Sequence, residues 1–138
     1  MRLVLDTNII VAALRSPTGG SAALVRRIRA GENRILLSVP LLLEYEAVAL
    51  RPEHLQAAHI AASDVTNVLD VLALFAEPVA IHYLWRPRLR DPADEMVLEA
   101  AVNGRADAIV TFNRVDFGRV PAAFGIEVVG PGDVLRRG

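Results

Sequence analysis

With 138 residues the chain is long enough to bury a substantial core and falls in the single-domain range, so one domain spanning 1–138 is expected. A hydrophobic content of 53% excludes disorder, and a formal charge of -1 excludes a generally basic, histone-like binder. No cysteine is present, which rules out disulfides, thiolate zinc sites and cysteine nucleophiles and leaves oxygen and imidazole chemistry. All the basic residues are arginine, the better bidentate partner for phosphate, although codon bias produces the same pattern. No apolar run reaches membrane-spanning length, and Asp6 interrupts the N-terminal one before any cleavage region. A soluble cytoplasmic protein without a membrane partner is the expectation.

In chain order, Leu3, Val4 and Leu5 form a short run of buried-strand type that Asp6 ends with a carboxylate. Thr7 or Asn8 is placed to cap the helix suggested by Ile9, Ile10, Ala13 and Leu14, which sets Asp6 in the turn between strand and helix. Such turns bind ligands in open α/β sheets, but an acid there also serves simply to start a helix. Residues 15–21, RSPTGGS, read as a loop, with Ser21 capping a second helix that Gly31 ends. Residues 34–39 read as a second strand, and Pro40 opens the helix PLLLEYEAVAL. On that helix Glu44 shares a face with Leu41 and Val48, whereas Glu46 points away. A carboxylate on an apolar face is costly unless it is paired or meets a cation, which singles out Glu44.

From Pro52 to Ala76 the period is helical, with Ser63 as the expected break, and His54 and His59 read as ordinary helix residues. Residues 79–83 suit a short strand. Arg86, Arg88 and Arg90 then precede Asp91, and Pro92 opens an apolar helix carrying Asp94 and Glu95 in its first turn, with Gly104 to end it. Asp94 shares a face with Leu98 and so is directed toward the packed side. Residues 108–111 (AIVT) make a further strand, followed by the polar turn Phe112, Asn113, Arg114, Val115 and Asp116; a last strand at 126–129 and a closing helix from Pro131 finish the chain.

Apolar strands joined by helical crossovers predict a three-layer α/β/α sandwich with a mostly parallel central sheet, and its ligand site at the carboxyl ends of the strands. Asp6 and Asn113 follow strands directly, while Glu44 and Asp94 sit in early turns of helices that start from the same edge.

The succession VLDTNIIVAAL, LLLEYEAVALRPE, WRPRLRDPADEMVLEAA and AIVTFNRVDF resembles the PIN-domain family, in particular its branch of toxin components of bacterial toxin–antitoxin systems. The resemblance implies a metal-dependent endoribonuclease acting on RNA, with Asp6, Glu44 and Asp94 as the acidic catalytic and metal-site residues. It also implies a cognate antitoxin and a homodimer. Asn113 stands where many relatives carry a further Asp, with Thr111 and Asp116 beside it.

The chemistry is consistent with the resemblance. Two carboxylates about 5 Å apart repel by roughly 3 kcal/mol at an effective dielectric near 20, a conflict that Mg²⁺ or Mn²⁺ resolves with oxygen ligands. Asn113 brings no charge to offset a second dication, so Asp116 or Asp91 is the expected compensation, with a second ion arriving only with substrate phosphate. Thr7, Asn8, Thr111, Arg88 and Arg90 are the expected supporting or substrate-contacting residues. The other readings are a binding module of the same fold whose nuclease activity has lapsed, for which Asn113 speaks, and a phosphatase using Asp6 as nucleophile, against which Asn8 and the lack of lysine speak.

Overall fold

The computed structural model describes residues 1–82 and 89–137. Strand β1 (Arg2–Leu5) leads into helices α1 (Thr7–Arg15) and α2 (Gly20–Arg29), and β2 (Arg34–Leu37) into α3 (Val39–Ala49), α4 (Pro52–Ala58) and α5 (Ala62–Phe75). A short strand β3 (Glu77–Pro78) precedes α6 (Pro92–Asn103), and β4 (Ala108–Val110) is followed by a 3₁₀ turn, Arg114–Phe117. Helix α7 (Val120–Ala123), strand β5 (Glu127–Val129) and helix α8 (Pro131–Arg137) complete the order.

The sheet order is β3-β2-β1-β4-β5, with every pairing parallel. From β1 the chain moves outward through β2 to β3, then crosses back to β4 on the other side of β1. Right-handed crossovers therefore put the helices between β1 and β3 on one face and α6 on the other, the expected three-layer sandwich. The reversal makes the space beyond the carboxyl ends of β1 and β4 the topological switch point. The central strands are apolar because both faces are covered: Leu3, Val4, Leu5, Ile35, Leu36, Ile109 and Val110 are all fully buried. Among the described residues no single helix is long and apolar enough to cross a membrane.

Several boundaries differ from expectation for local reasons. Asp6, rather than Thr7 or Asn8, occupies the cap of α1: it is extended, and its carboxylate accepts from the Thr7 amide at 2.7 Å. Gly19, not Ser21, sits at the cap of α2, and Ser21 is drawn into the first turn and buried. The second strand stops at Leu37 because Ser38 Oγ accepts from the Leu41 amide at 3.2 Å and Val39 already turns helical. The break in the middle helices falls before Ser63: His59 adopts a left-handed conformation with φ 56°, and Asp64 accepts from the Ala61 amide at 2.9 Å to start α5. Strand β3 lies at 77–78 rather than 79–83, paired with Leu36 and Leu37, and Pro78 is tolerated there because β3 is an edge strand. Residue 83 lies outside the described residues. The turn after β4 extends into the 3₁₀ segment and α7, anchored by the fully buried Phe117.

Gly104 shows how closely α6 seats on the sheet. A Cβ there would meet the Ala100 carbonyl at 2.8 Å, Val79 Cγ2 at 2.9 Å and Leu36 Cδ1 at 3.0 Å. Gly104→Ala is expected to cost about 1–3 kcal/mol through overpacking, read as a lower urea midpoint at unchanged m-value.

Candidate active site

Each acid reaches the strands' carboxyl edge by a simple local rule. Asp6 is the residue after β1, Asp94 lies in the first turn of α6, and Glu44 is on the second turn of α3. All three line one cavity of about 660 Å³, together with Asp91, Asn113 and Asp116. Thr7 and Asn8 line it as well. The expected group therefore comes together, with Thr111 immediately behind Asp6. Arg88 lies outside the described residues, and Arg90 is exposed and does not line the cavity.

Thr111 is the hub of the site. Its hydroxyl donates to Asp6 Oδ2 at 2.7 Å and accepts the Asn113 amide at 3.0 Å and the Asn8 side-chain amide at 3.5 Å. The other Asp6 oxygen takes the Thr7 amide, so the carboxylate is held at both ends. Asp91 caps α6 by accepting from the Ala93 amide at 2.9 Å. Beneath the site Tyr45 is fully buried and donates its hydroxyl to the Leu5 carbonyl, fixing α3 against the end of β1. Burial, and next the charge of Asp6, push the Tyr45 phenol well above its ordinary range, so it stays protonated.

Asp6 and Asp94 are electrostatically strained. Asp6 is raised above the usual carboxylate range chiefly by burial, against which the hydrogen bonds from Thr111 and Thr7 pull down while Asp116 and Asp91 push up. Asp94 is pushed up to about 7, first by burial and then by repulsion from Asp6, Asp91, Asp116 and Glu95. Among the described residues no group of three or more Asp, Glu or His side chains is arranged to hold a metal ion as the side chains stand. The donor set nevertheless suits a hard divalent cation that keeps several waters, since it consists of oxygen atoms around unneutralised carboxylates. Two further oxygens on the same wall, Thr7 Oγ1 and Asn8 Oδ1, are buried without a hydrogen-bond partner.

Sequence reasoning missed the basic side of this cavity. Arg15, Arg51 and His54 line it. The signal was present as helical spacing: Asn8, Val11, Ala12 and Arg15 form one face of α1, and Glu44, Val48 and Arg51 continue one line from α3. His54, read as an ordinary helix residue, stands on the wall with Nδ1 buried and unpartnered.

Comparison with known proteins agrees with this architecture. The family model described as PIN domain matches residues 2–115. A chain in the crystal structure of VapBC2 from Rickettsia felis bound to a DNA fragment from their promoter is similar in fold, with a TM-score of 0.66 at 20% identity, over 94% of this chain and 98% of that one. No curated protein matches the sequence. The family model covers most of the chain, from the first strand through Val115, and its span takes in Asp6, Glu44 and Asp94 on the switch-point cavity: the chain belongs to the PIN-domain family.

Proposed function

We propose that the protein is a divalent-metal-dependent endoribonuclease, the toxin of a toxin–antitoxin pair. The observation that carries this reading is the convergence of Asp6, Glu44 and Asp94 on one cavity, with Asp6 and Asp94 driven upward by burial and by the charges of neighbouring acids. Asp6, Glu44, Asp94 and, on the far wall, Asp116 would hold Mg²⁺ or Mn²⁺. When bound, the cation supplies an activated water and offsets the charge that develops on phosphate and leaving oxygen. Thr111 and the Thr7 amide orient Asp6, while Asn8 and Asn113 offer amide groups to substrate or water. Asp91 stays fixed as the helix cap. Asn113 adds no charge, which favours one firmly held ion and a second that enters with RNA phosphate. A cognate antitoxin is supported by the family and by the likeness to a chain of VapBC2, which was crystallised bound to promoter DNA. Exposed Val68, Leu74 and Phe75 on α5 support a homodimer.

The test is incubation of a defined RNA pool with the purified chain, with and without Mg²⁺ or Mn²⁺, and mapping of the cut sites. Cleavage that needs the cation and stops with chelator is expected; cleavage persisting in excess chelator contradicts the reading. Binding without turnover under every metal favours the lapsed-nuclease alternative.

The arginines on the cavity wall hold the flanking phosphates in this scheme. Neither enters a salt bridge among the described residues, so both are available to phosphate. Arg51→Ala is expected to weaken binding of single-stranded RNA across sequences and to reduce the slope of log affinity against log salt by about 0.7. Filter binding over a salt series measures it, and an unchanged slope removes Arg51 from the phosphate path.

A further inference from the structure

Beside the acid cavity lies a second, smaller pocket of about 320 Å³, and the two share Ala12, Ser16 and Phe112 in their walls. We propose that this pocket is a nucleobase subsite in which one base of single-stranded RNA stacks on the Phe112 ring and turns its polar edge toward Ser21. The proposal rests on the reading of the acid cavity as an RNA site.

Four observations carry it. Phe112 is 54% exposed, unusual for a large apolar ring, at the boundary between the two pockets. It follows Thr111, whose hydroxyl bonds Asp6, so the ring is tied by one peptide unit to the acid site. Ser21 is 4% exposed and lines the small pocket, yet its Oγ has no hydrogen-bond partner. No side chain caps the first turn of α2 beside it, which leaves backbone amides as donors for the carbonyl oxygens of a base.

The composition of the pocket selects a base over a phosphate. Its remaining wall is Gly19, Gly20, Pro131 and Gly132, which lets a flat ring come close to backbone, and no charged side chain lines it among the described residues. An anion would gain nothing from the Phe112 face, whereas unpaired RNA bases are held by stacking on aromatic rings and by hydrogen bonds at their edges. The volume falls at the lower end of small-ligand pockets, the scale of one base rather than of a larger ligand. The base so held would be next to the phosphate in the acid cavity, and would set which nucleotide neighbours the cut.

The test measures binding separately from cleavage. Fluorescence anisotropy with a labelled single-stranded oligoribonucleotide is read for the full chain carrying Asp6→Asn, alone and with Phe112→Ala or Phe112→Trp, each variant checked for an unchanged thermal transition. Phe112→Ala is expected to weaken binding about tenfold or more, and Phe112→Trp to retain it. An abasic ribose-phosphate oligomer should bind weakly and be indifferent to the Phe112 substitutions. The subsite is overturned if Phe112→Ala binds like its parent, if the abasic oligomer suffers the same loss, or if the parent binds no RNA. Cleavage by the native chain is scored independently: binding that depends on Phe112 without any cleavage retains the subsite and removes the nuclease reading, and cleavage with binding indifferent to Phe112 does the reverse.

Discussion

Asp94→Asn is expected to abolish RNA cleavage, with a loss of about a hundredfold or more, while making the metal-free protein more stable at pH 8. The two effects share one cause. Asp94 lies among Asp6, Asp91 and Asp116, whose charges a bound cation would offset and whose repulsion, with no cation present, makes its own charge costly. Its folded-state pKa of about 7 lies above the ordinary value of 3.8, so the folded protein binds a proton that the unfolded chain has already lost. The associated stability is therefore fully present below about pH 4 and is lost as the pH rises through 7. Unscreened, that shift amounts to about 4 kcal/mol, and solvent in an open cavity reduces it to about 1–2 kcal/mol. Asparagine mimics the protonated acid. The variant should accordingly melt about 3–8 °C higher than wild type at pH 8 in chelator, with the gain shrinking as the pH falls and little of it left at pH 4. Equal melting temperatures at both pH values would remove the electrostatic strain from the explanation of this site.

Thr111→Val should lower cleavage and apparent Mn²⁺ affinity about 10–100-fold with little effect on the fold. Valine keeps the shape but deletes the hydroxyl that donates to Asp6 and accepts from the Asn113 amide. Two consequences follow from that single atom. Asp6 loses a hydrogen bond that favours its charged form, so the acid limb of the pH–rate profile moves to higher pH. The turn carrying Asn113 loses its tether to the acid. Thr111→Ser, which restores the hydroxyl, should recover most of the activity and return the acid limb toward its original position. A variant with reduced rate but an unmoved acid limb would mean that Thr111 serves packing and not the positioning of Asp6.

The parts of this site that were legible in the sequence are those set by short-range rules. Asp6 ends an apolar strand, Asp94 opens a helix after Pro92, and Glu44 lies one turn from Leu41, so strand ends and helix faces sufficed to bring the three acids to one edge. The parallel sheet followed from apolar strands alternating with helices. What was not legible depended on contacts distant in sequence. Thr111 is an expected supporting residue, but its bond to Asp6, 105 residues away, is made only by the pairing of β1 with β4. Arg15 and Arg51 carried a usable signal in their helical spacing, but charged residues at helix ends ordinarily face water, and only the cavity distinguishes these two. Strand β3 was misplaced because Glu77 and Pro78 have little strand propensity, and its position is set by the end of β2. The cap of α1 falls one or two residues before the expected Thr7 or Asn8 because Asp6 serves two purposes at once, closing the helix end with one oxygen and meeting Thr111 with the other.

The most direct test of the acid cavity as a cation site is a crystal of the native chain soaked in Mn²⁺ and measured for anomalous scattering. The expected result is a peak between Asp6 and Asp94, with carboxylate and water oxygens about 2.1 Å from the ion. A saturating soak that leaves this cavity without a peak, or places the ion elsewhere on the molecule, would contradict it.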